Sequence, residues 1–162
     1  MKMQSLKVLV VDDFDNARQS LKKMLFGLGV DDADVASNGK EVVNACKHTK
    51  YDLILCDYNL GQGKNGQQVL EEIREKGYLK STALFVIISA ETSRDMVMGA
   101  MECQPDEYLT KPFTQGVLKK RLERALDQSE ALTPIYQALA KKNHDKVIEL
   151  CLKFIRENSR YK

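Results

Sequence analysis

Five times along this chain, a short run of aliphatic residues is followed by a segment whose apolar residues recur at helical spacing. Runs rich in Val, Ile and Leu are typical of strands buried on both faces of a parallel sheet. We predict strands at Lys7–Val11, Asp34–Ala36, Leu53–Cys56, Leu84–Ile88 and Glu107–Leu109. Because alternating strands and helices build sheets with right-handed crossovers, the pattern predicts an α/β fold.

The segments between and after these strands predict five helices. They span about Asn16–Leu28, Gly39–His48, Gly66–Lys76, Ser93–Met101 and Gln115–Leu126. In the last helix we expect Val117, Leu118, Leu122, Ala125 and Leu126 to face inward. Five such units predict a flavodoxin-like, doubly wound, five-stranded parallel sheet with strand order 2-1-3-4-5.

The remainder of the chain predicts a helical pair, at Ser129–Lys141 and Asp145–Asn158. We therefore divide the chain into a first domain, 1–127, and a C-terminal helical extension, 128–162. The second helix carries apolar residues at helical spacing, namely Val147, Ile148, Cys151, Leu152 and Ile155. Such a stripe needs a surface to cover it. The first domain, the other helix of the pair, a second copy in a homodimer or a following helical repeat could each supply that surface.

Composition narrows the class of protein. Of 162 residues, 43% are hydrophobic and 30% are charged, which suits a soluble globular chain. Residues 1–110 hold 13 basic and 17 acidic residues, whereas residues 111–162 hold 12 and 6. We interpret the basic half as a solvated helical surface and expect no nucleic-acid partner. With no signal-like or membrane-spanning run and no CxxC pair, we expect a cytoplasmic protein with reduced thiols and no membrane partner.

Charged residues stand where the strands end. Asp12 and Asp13 follow the first strand, Asp57 follows the third and Lys111 follows the fifth. The carboxyl ends of parallel strands meet at one crevice in this fold. Two carboxylates about 5 Å apart repel by roughly 3 kcal/mol at an effective dielectric of 20. The cluster therefore predicts a hard divalent cation such as Mg²⁺, with an aspartate as a nucleophile toward phosphorus.

Four motifs at these strand ends resemble the receiver domain of bacterial two-component response regulators, above all the single-domain chemotaxis type. They are Val10-Val11-Asp12-Asp13, Leu53-Ile54-Leu55-Cys56-Asp57-Tyr58-Asn59-Leu60, Val86-Ile87-Ile88-Ser89-Ala90 and Tyr108-Leu109-Thr110-Lys111-Pro112-Phe113. The resemblance covers about Lys7–Asp127. It implies a phosphorylation-dependent switch that acts as an enzyme only in its own phosphorylation and dephosphorylation.

The resemblance also implies roles for matching positions. Asp57 is expected to accept a phosphoryl group from a sensor histidine kinase or a phosphotransfer protein. Asp13, Asp57 and the backbone carbonyl of Asn59 are expected to ligate Mg²⁺, and Asp12 to hold it mainly through water. Lys111 is expected to pair with a phosphoryl oxygen.

Further positions match the switching part of such domains. Ser89 is expected to swing toward the phosphoryl group and Tyr108 to change rotamer with it. The surface of helix four, strand five and helix five would then control a downstream effector protein. Asn59 and Glu91 occupy the positions that tune dephosphorylation, and the bond before Pro112 is expected to be cis.

Two segments depart from the family pattern. Gly61 and Asn65 stand where the loop after the acceptor usually has Pro and Asp, so we expect a looser loop. Cys103-Gln104-Pro105 stands where a Gly-Ala pair is usual, before the last strand.

Two alternatives to the receiver switch remain. A haloacid-dehalogenase-type phosphohydrolase would use Asp57 as nucleophile, but it needs an acid where Asn59 stands. A non-switching interaction module would keep the fold but would not change conformation on phosphorylation.

The C-terminal extension has a resemblance of its own. Asn143–Arg160 resembles the second helix of a tetratricopeptide repeat and its preceding turn, through the run Asp145-Lys146-Val147-Ile148-Glu149-Leu150.

Overall fold

The structure is a computed structural model that describes residues 3–91, 93–102 and 104–158, without the side chains of residues 96 and 100. Its five strands form one parallel sheet in the order β2-β1-β3-β4-β5, which confirms the predicted topology. The strands are β1 (Val8–Val11), β2 (Ala33–Ala36), β3 (Leu53–Asp57), β4 (Leu84–Ser89) and β5 (Glu107–Thr110).

Helices cover both faces of this sheet. They are α1 (Asp15–Gly27), α2 (Gly39–His48), α3 (Gly66–Glu75), α4 (Arg94–Glu102), α5 (Gln115–Ala140) and α6 (His144–Glu157). Gly29, with φ +99°, follows α1 in the left-handed conformation that glycine adopts without strain. Asn38 caps α2 by accepting a hydrogen bond from the backbone N–H of Glu41 at 2.9 Å.

Alternate residues of the strands feed two apolar layers. Val10 and Leu55 lie in the layer covered by α1 and α5, with Leu25 and Leu122. The opposite layer is covered by α2 and α3 and includes Leu9, Ile54, Phe85, Val42, Val69 and Ile73. The edge strands β2 and β5 are partly exposed, but nearly all residues of the central strands β1, β3 and β4 are buried, as their continuous aliphatic runs predict. Cys56 is among them, which confirms that it belongs to the core.

The register brings four strand ends to one edge of the sheet. Val11 of β1 is level with Cys56 of β3, so Asp12 and Asp57 follow at the same height. Asp57 is level with Ile88 of β4, and Ser89 with Thr110 of β5. The residues after these strands therefore share a crevice, although they are far apart in sequence.

The last helix of the sheet domain does not end where we predicted. We expected separate helices at Gln115–Leu126 and Ser129–Lys141, but α5 continues without interruption to Ala140, with Pro134 inside it. The residues between the two predicted helices include no Gly or Pro that would stop a helix. Pro134 is exposed, so water can solvate the turn of the helix at which the proline N–H is missing.

One predicted core position in α5 is wrong. Val117 is 41% exposed, whereas its neighbour Leu118 is fully buried. Successive residues of a helix differ in direction by about 100°, so the face that buries Leu118, Leu122 and Leu126 leaves Val117 at its edge.

The predicted C-terminal helical pair is formed by the second half of α5 and by α6. A tight turn joins them, in which Lys142 adopts a φ of +56°. Asn143 then caps α6 by accepting from the backbone N–H of Lys146 at 3.2 Å. The half-buried side of α6 holds Val147, Leu150, Cys151 and Phe154, and α6 packs against α5. Within the described ranges, no helix combines the length and the apolar character needed to cross a bilayer.

Candidate functional site

Three of the predicted site residues meet at the carboxyl edge of the sheet. The ammonium of Lys111 donates to Oδ2 of Asp57 at 2.7 Å and to Oδ2 of Asp12 at 3.2 Å. Both carboxylates are largely buried, and the lysine side chain is about one third exposed. Lys111 therefore joins the ends of β1 and β3 from the loop after β5. Its peptide bond to Pro112 is cis.

Asp57 is held by the backbone around it. Its Oδ1 accepts from the backbone N–H of Asn59 at 3.1 Å. The next residue, Tyr58, donates its N–H to the carbonyl of Ile88 at 2.8 Å, which ties the end of β3 to β4. Gly66 starts α3 so close that a Cβ there would lie 2.7 Å from the Asp57 carbonyl oxygen. Only glycine fits that approach without a shift of the backbone.

Asp12 is the most deeply buried carboxylate of the cluster, at 5% exposure. Its Oδ1 accepts from the backbone N–H of Phe14 at 3.0 Å. Arg18, one turn into α1, donates from Nη1 to the backbone carbonyl of Asp12 at 2.6 Å. The chain turn that leads from β1 into α1 is thus fixed at both its carboxylate and its carbonyl.

Asp13 lies at the rim of the crevice and is exposed. Its Oδ2 faces the loop after β3, because a Cβ built on Gly61 would lie 3.2 Å from it. Among the described residues, no group of three or more His, Cys, Asp and Glu side chains stands in a metal-ligating arrangement. Asp12 and Asp57 form an assembled pair, and Asp13 is separate from them.

Two hydrogen bonds hold Ser89 and Tyr108 to the segment after β4. The hydroxyl of Ser89, which is buried, accepts from the backbone N–H of Glu91 at 3.0 Å. The hydroxyl of half-buried Tyr108, on β5, donates to the backbone carbonyl of Glu91 at 3.1 Å. Both side chains therefore contact the same short segment between β4 and α4. Any movement of that segment changes the partners of both.

The two buried carboxyls differ in their affinity for a proton. Burial raises the pKa of Asp57; hydrogen bonding to Lys111 opposes the rise, and the Asp12 carboxyl adds to it. Burial also disfavours the ionised form of Asp12, but hydrogen bonds from the Phe14 N–H and from the Asp57 carboxyl outweigh it. The pKa of Asp12 is therefore lowered. Unequal environments of this kind favour one ionised and one protonatable carboxyl.

The donor set fits a hard divalent cation. Asp12, Asp13 and Asp57 supply three carboxylates against the single ammonium of Lys111, so the crevice has excess negative charge. All the donors are oxygens, which is the preference of Mg²⁺ rather than of zinc or copper.

The residues that depart from the family pattern are accommodated by a helix cap and by local backbone conformation. Asn65 caps α3 in a capping box, since its side chain accepts from the N–H of Gln68 and the Gln68 side chain accepts from the N–H of Asn65. Gly61 adopts a φ of +74°, which a proline there would not allow. Gln104 also takes a positive φ, +54°, and its carbonyl accepts from Arg74 at 2.8 Å. Cys103 lies outside the described residues.

Two contributors to the site were not predicted from the sequence. For Arg18 the sequence offers only a weak indication, namely a basic residue near the start of a helix that follows an acidic pair. For Gly66 the sequence predicts only that it begins a helix. Its closeness to Asp57 depends on how α3 packs against β3, so no local pattern gives it.

The fold and this crevice define the class of protein. The sequence model of the family described as response regulator receiver domain matches residues 8–123 of this chain. The chain therefore belongs to the response regulator receiver family. Members of this family are phosphorylation-based signalling switches rather than conventional enzymes, and chemotaxis-type members interact with histidine kinases and effector proteins.

Similar proteins come from bacterial chemotaxis. The chain is 30% identical over 125 residues to the chemotaxis protein CheY-3 of Vibrio cholerae, covering 77% of this chain and 95% of that protein. It is 29% identical over 123 residues to CheY of Pseudomonas aeruginosa, covering 76% and 98%. The crystallised CheY4 of Vibrio cholerae has a TM-score of 0.67 at 26% identity, covering 75% of this chain and 98% of that one. These matches leave about a quarter of the chain uncovered.

Proposed function

We propose that Asp57 accepts a phosphoryl group from the phosphohistidine of a sensor histidine kinase or phosphotransfer protein. The observation that carries the proposal is the 2.7 Å contact between Lys111 and Asp57 at the carboxyl edge of the sheet. A carboxylate oxygen of Asp57 attacks phosphorus, a P–O bond forms and the P–N bond to the histidine breaks. The histidine nitrogen keeps the electron pair of that bond.

Asp57, Asp13 and the backbone carbonyl of Asn59 would hold Mg²⁺, with Asp12 contributing mainly through water. Bound there, the ion neutralises charge on the transferring phosphoryl group. Of these proposed Mg²⁺ ligands, Asp13 is the one that would have to move toward the Asp12 and Asp57 carboxylates to share the ion. Its place at the rim, facing the Gly61 loop, makes it accessible for that role. Lys111 keeps its contact with the acceptor side chain and supplies a positive charge to a phosphoryl oxygen.

The proposed conformational response to phosphorylation involves the segment after β4. A phosphoryl group on Asp57 offers the Ser89 hydroxyl and the Lys111 ammonium a dianionic partner. Ser89 would then leave the Glu91 N–H, and Tyr108, which contacts the Glu91 carbonyl, would change rotamer. An almost complete change of state needs about 5.5 kcal/mol of differential stabilisation. A few charge-assisted hydrogen bonds at 1.5–3 kcal/mol each, roughly, are enough.

The output surface is formed by α4, β5 and α5. Met98 and Met101 on α4 and Val117 on α5 are exposed apolar side chains, and Tyr108 of β5 contacts the segment that leads into α4. Apolar side chains of this kind are suited to binding an effector protein. Glu91 and Asn59 stand at the two positions that would set the lifetime of the phosphoryl group.

We also retain the division into a receiver domain, 1–127, and a helical extension, 128–162. The continuity of α5 across that boundary provides a rigid connection between them. The resemblance of residues 143–160 to part of a tetratricopeptide repeat stays a prediction.

Intact mass spectrometry after incubation with acetyl phosphate and Mg²⁺ tests the acceptor. We expect one phosphoryl group on the wild type and none on Asp57→Asn. Asp31→Asn, which removes an exposed carboxylate from a loop, serves as the matched control and should be modified like the wild type. Modification of Asp57→Asn to the wild-type extent would overturn the assignment. Turnover of a generic phosphatase substrate would instead support the phosphohydrolase alternative.

A further inference from the structure

The second apolar side of α6 is not covered in this chain. Ile148, Leu152 and Ile155 are 59%, 57% and 39% exposed. They are spaced i, i+4 and i+7, so they form one stripe along the helix. Single exposed apolar residues are normal on protein surfaces, but a continuous stripe beside a packed face indicates an interface.

Two opposite charges border this stripe. Glu149 and Arg156 are each one residue beyond Ile148 and Ile155, so both lie along the same edge of the stripe. They are seven residues apart, which is two turns or about 10 Å along the helix. Within the described part of the chain, the only ion pair at either residue is an exposed contact of 3.4 Å between Lys146 and Glu149. Exposed contacts of this kind contribute little and are easily exchanged.

We infer that the stripe is the contact by which two copies of this chain associate, with their α6 helices antiparallel about a two-fold axis near Leu152. In that arrangement the two Leu152 side chains meet at the axis, and Ile148 lies within one residue of the level of Ile155 of the second copy. Glu149 of each copy likewise lies within one residue, about 1.5 Å along the helix, of the level of Arg156 of the other, on the same side of the interface. The charges and the apolar residues are thus matched in nearly the same register.

A parallel arrangement would not give this match, because each charged residue would lie level with its own copy. The self-complementary pattern therefore selects a second copy of the chain as the occupant. The inference is independent of phosphorylation, because α6 lies outside the crevice that contains Asp57. The expected dimer is weak, since the patch is a single stripe of three large side chains.

Sedimentation velocity of the full chain over a concentration series tests the inference. We expect a reversible monomer–dimer equilibrium without phosphorylation. Leu152→Asp should abolish the dimer, and Arg156→Glu should raise its dissociation constant about tenfold, since two symmetric pairs are lost and replaced by repulsion. The double charge exchange Glu149→Arg with Arg156→Glu should restore it. Glu157→Lys, which reverses an exposed charge about 180° around α6 from Ile148, is the matched control.

Cross-linking gives a second readout that does not require a destabilising change. Under oxidising conditions Leu152→Cys should form an intermolecular disulfide faster than Lys153→Cys and faster than the unmodified chain, which retains Cys151. A wild-type chain that stays monomeric throughout the series would overturn the inference. So would equal cross-linking of the two cysteine variants, or a charge exchange that fails to rescue Arg156→Glu.

Discussion

Lys111 and Asp57 lie 54 positions apart in the sequence, yet the lysine Nζ and the aspartate Oδ2 are 2.7 Å apart. The contact spans the sheet from the loop after β5 to the end of β3. Lys111 also donates its backbone N–H to the carbonyl of Ser89 at 2.8 Å, so its position is fixed by β4 as well. The chemical centre is therefore supported by three neighbouring strands, and changes at those strands should reach it.

The raised pKa of Asp57 predicts how stability depends on pH. The folded protein holds this proton more tightly than the unfolded chain, whose Asp pKa is about 3.9. The contribution of Asp57 to the free energy of unfolding therefore falls as the pH rises from that value through the raised, folded pKa. Asp57→Asn removes this loss of stability, and we expect the metal-free variant to be more stable than the wild type at neutral pH.

Urea unfolding in EDTA at several pH values would measure this difference. The advantage of Asp57→Asn should grow with pH across the window and then become constant. Asp12, whose pKa is lowered, contributes in the opposite direction, with stability gained as the pH rises towards the unfolded pKa. The control Asp31→Asn removes an exposed carboxylate and should have the wild-type free energy of unfolding at neutral pH. A variant whose advantage shrinks with rising pH would contradict the assignment.

A methyl group at Gly66 should damage both stability and phosphorylation. The added Cβ would lie 2.7 Å from the backbone oxygen of Asp57, and a backbone contact cannot rotate away. We expect Gly66→Ala to lower the free energy of unfolding by about 1–3 kcal/mol, as overpacking does. The displaced strand end should also slow modification by acetyl phosphate. Chemical denaturation and the rate of mass increase would measure the two effects.

Gly99→Ala is the matched control for this substitution. Gly99 lies within α4, and an added Cβ meets nothing within 4 Å. Alanine is favoured over glycine in a helix by about 1 kcal/mol, so this variant should be equally or more stable. If both alanine variants lost stability equally, the close approach at Asp57 would not be the cause.

Tyr108 should separate phosphorylation from the response. Its hydroxyl donates to the Glu91 carbonyl and is not a hydrogen-bond partner of the Asp57 or Lys111 side chain. We expect Tyr108→Ala to be modified by acetyl phosphate at nearly the wild-type rate. The amide NMR shifts that beryllofluoride and Mg²⁺ induce in α4 and α5 should, however, become smaller.

Tyr108→Phe refines that test, because it keeps the ring and removes only the hydrogen bond to Glu91. An intermediate response would assign part of the coupling to the hydroxyl. If Tyr108→Ala slowed phosphorylation as much as it reduced the shifts, the proposed coupling would be wrong. Shifts at Ser89 and Tyr108 that do not move in the wild type would favour the non-switching module.

Glu107 should be a stability determinant that has no role in phosphoryl chemistry. It is buried at the start of β5 and accepts two hydrogen bonds from Arg124 at 2.9 Å. Arg121 also donates to it. We expect Glu107→Ala to lower the free energy of unfolding by about 1–3 kcal/mol, since a hydrogen-bonded buried group is lost. Thermal or urea unfolding would measure it, while acetyl phosphate modification should be unchanged.

Substitution of Arg124 should lower the free energy of unfolding by less than substitution of Glu107. The Arg124 side chain is 56% exposed, so water screens its interaction with Glu107. Arg124→Ala is therefore expected to lower stability by no more than about 1 kcal/mol. An equal loss for the two variants would mean that packing of the arginine stem, not the ion pair, dominates at this position.

Much of the fold followed from local pattern. The five strands, the first four helices and the strand order were predicted correctly. No predicted end of these elements differs from the observed end by more than one residue. Aliphatic runs and helical spacing report burial directly, and right-handed crossovers leave few topologies. The break predicted in α5 was wrong, because the chain near residue 127 lacks a helix stop and an exposed Pro134 is tolerated.

For the site, local pattern was enough to identify the candidate residues, because Asp12, Asp57 and Lys111 each follow a predicted strand. Their contacts, by contrast, depend on the packing of the folded chain. That packing sets Lys111 between two carboxylates, leaves Asp13 at the rim and brings Gly66 against the Asp57 carbonyl. Those distances depend on how helices and loops pack across neighbouring strands, and residues so distant along the chain leave no local pattern that records them.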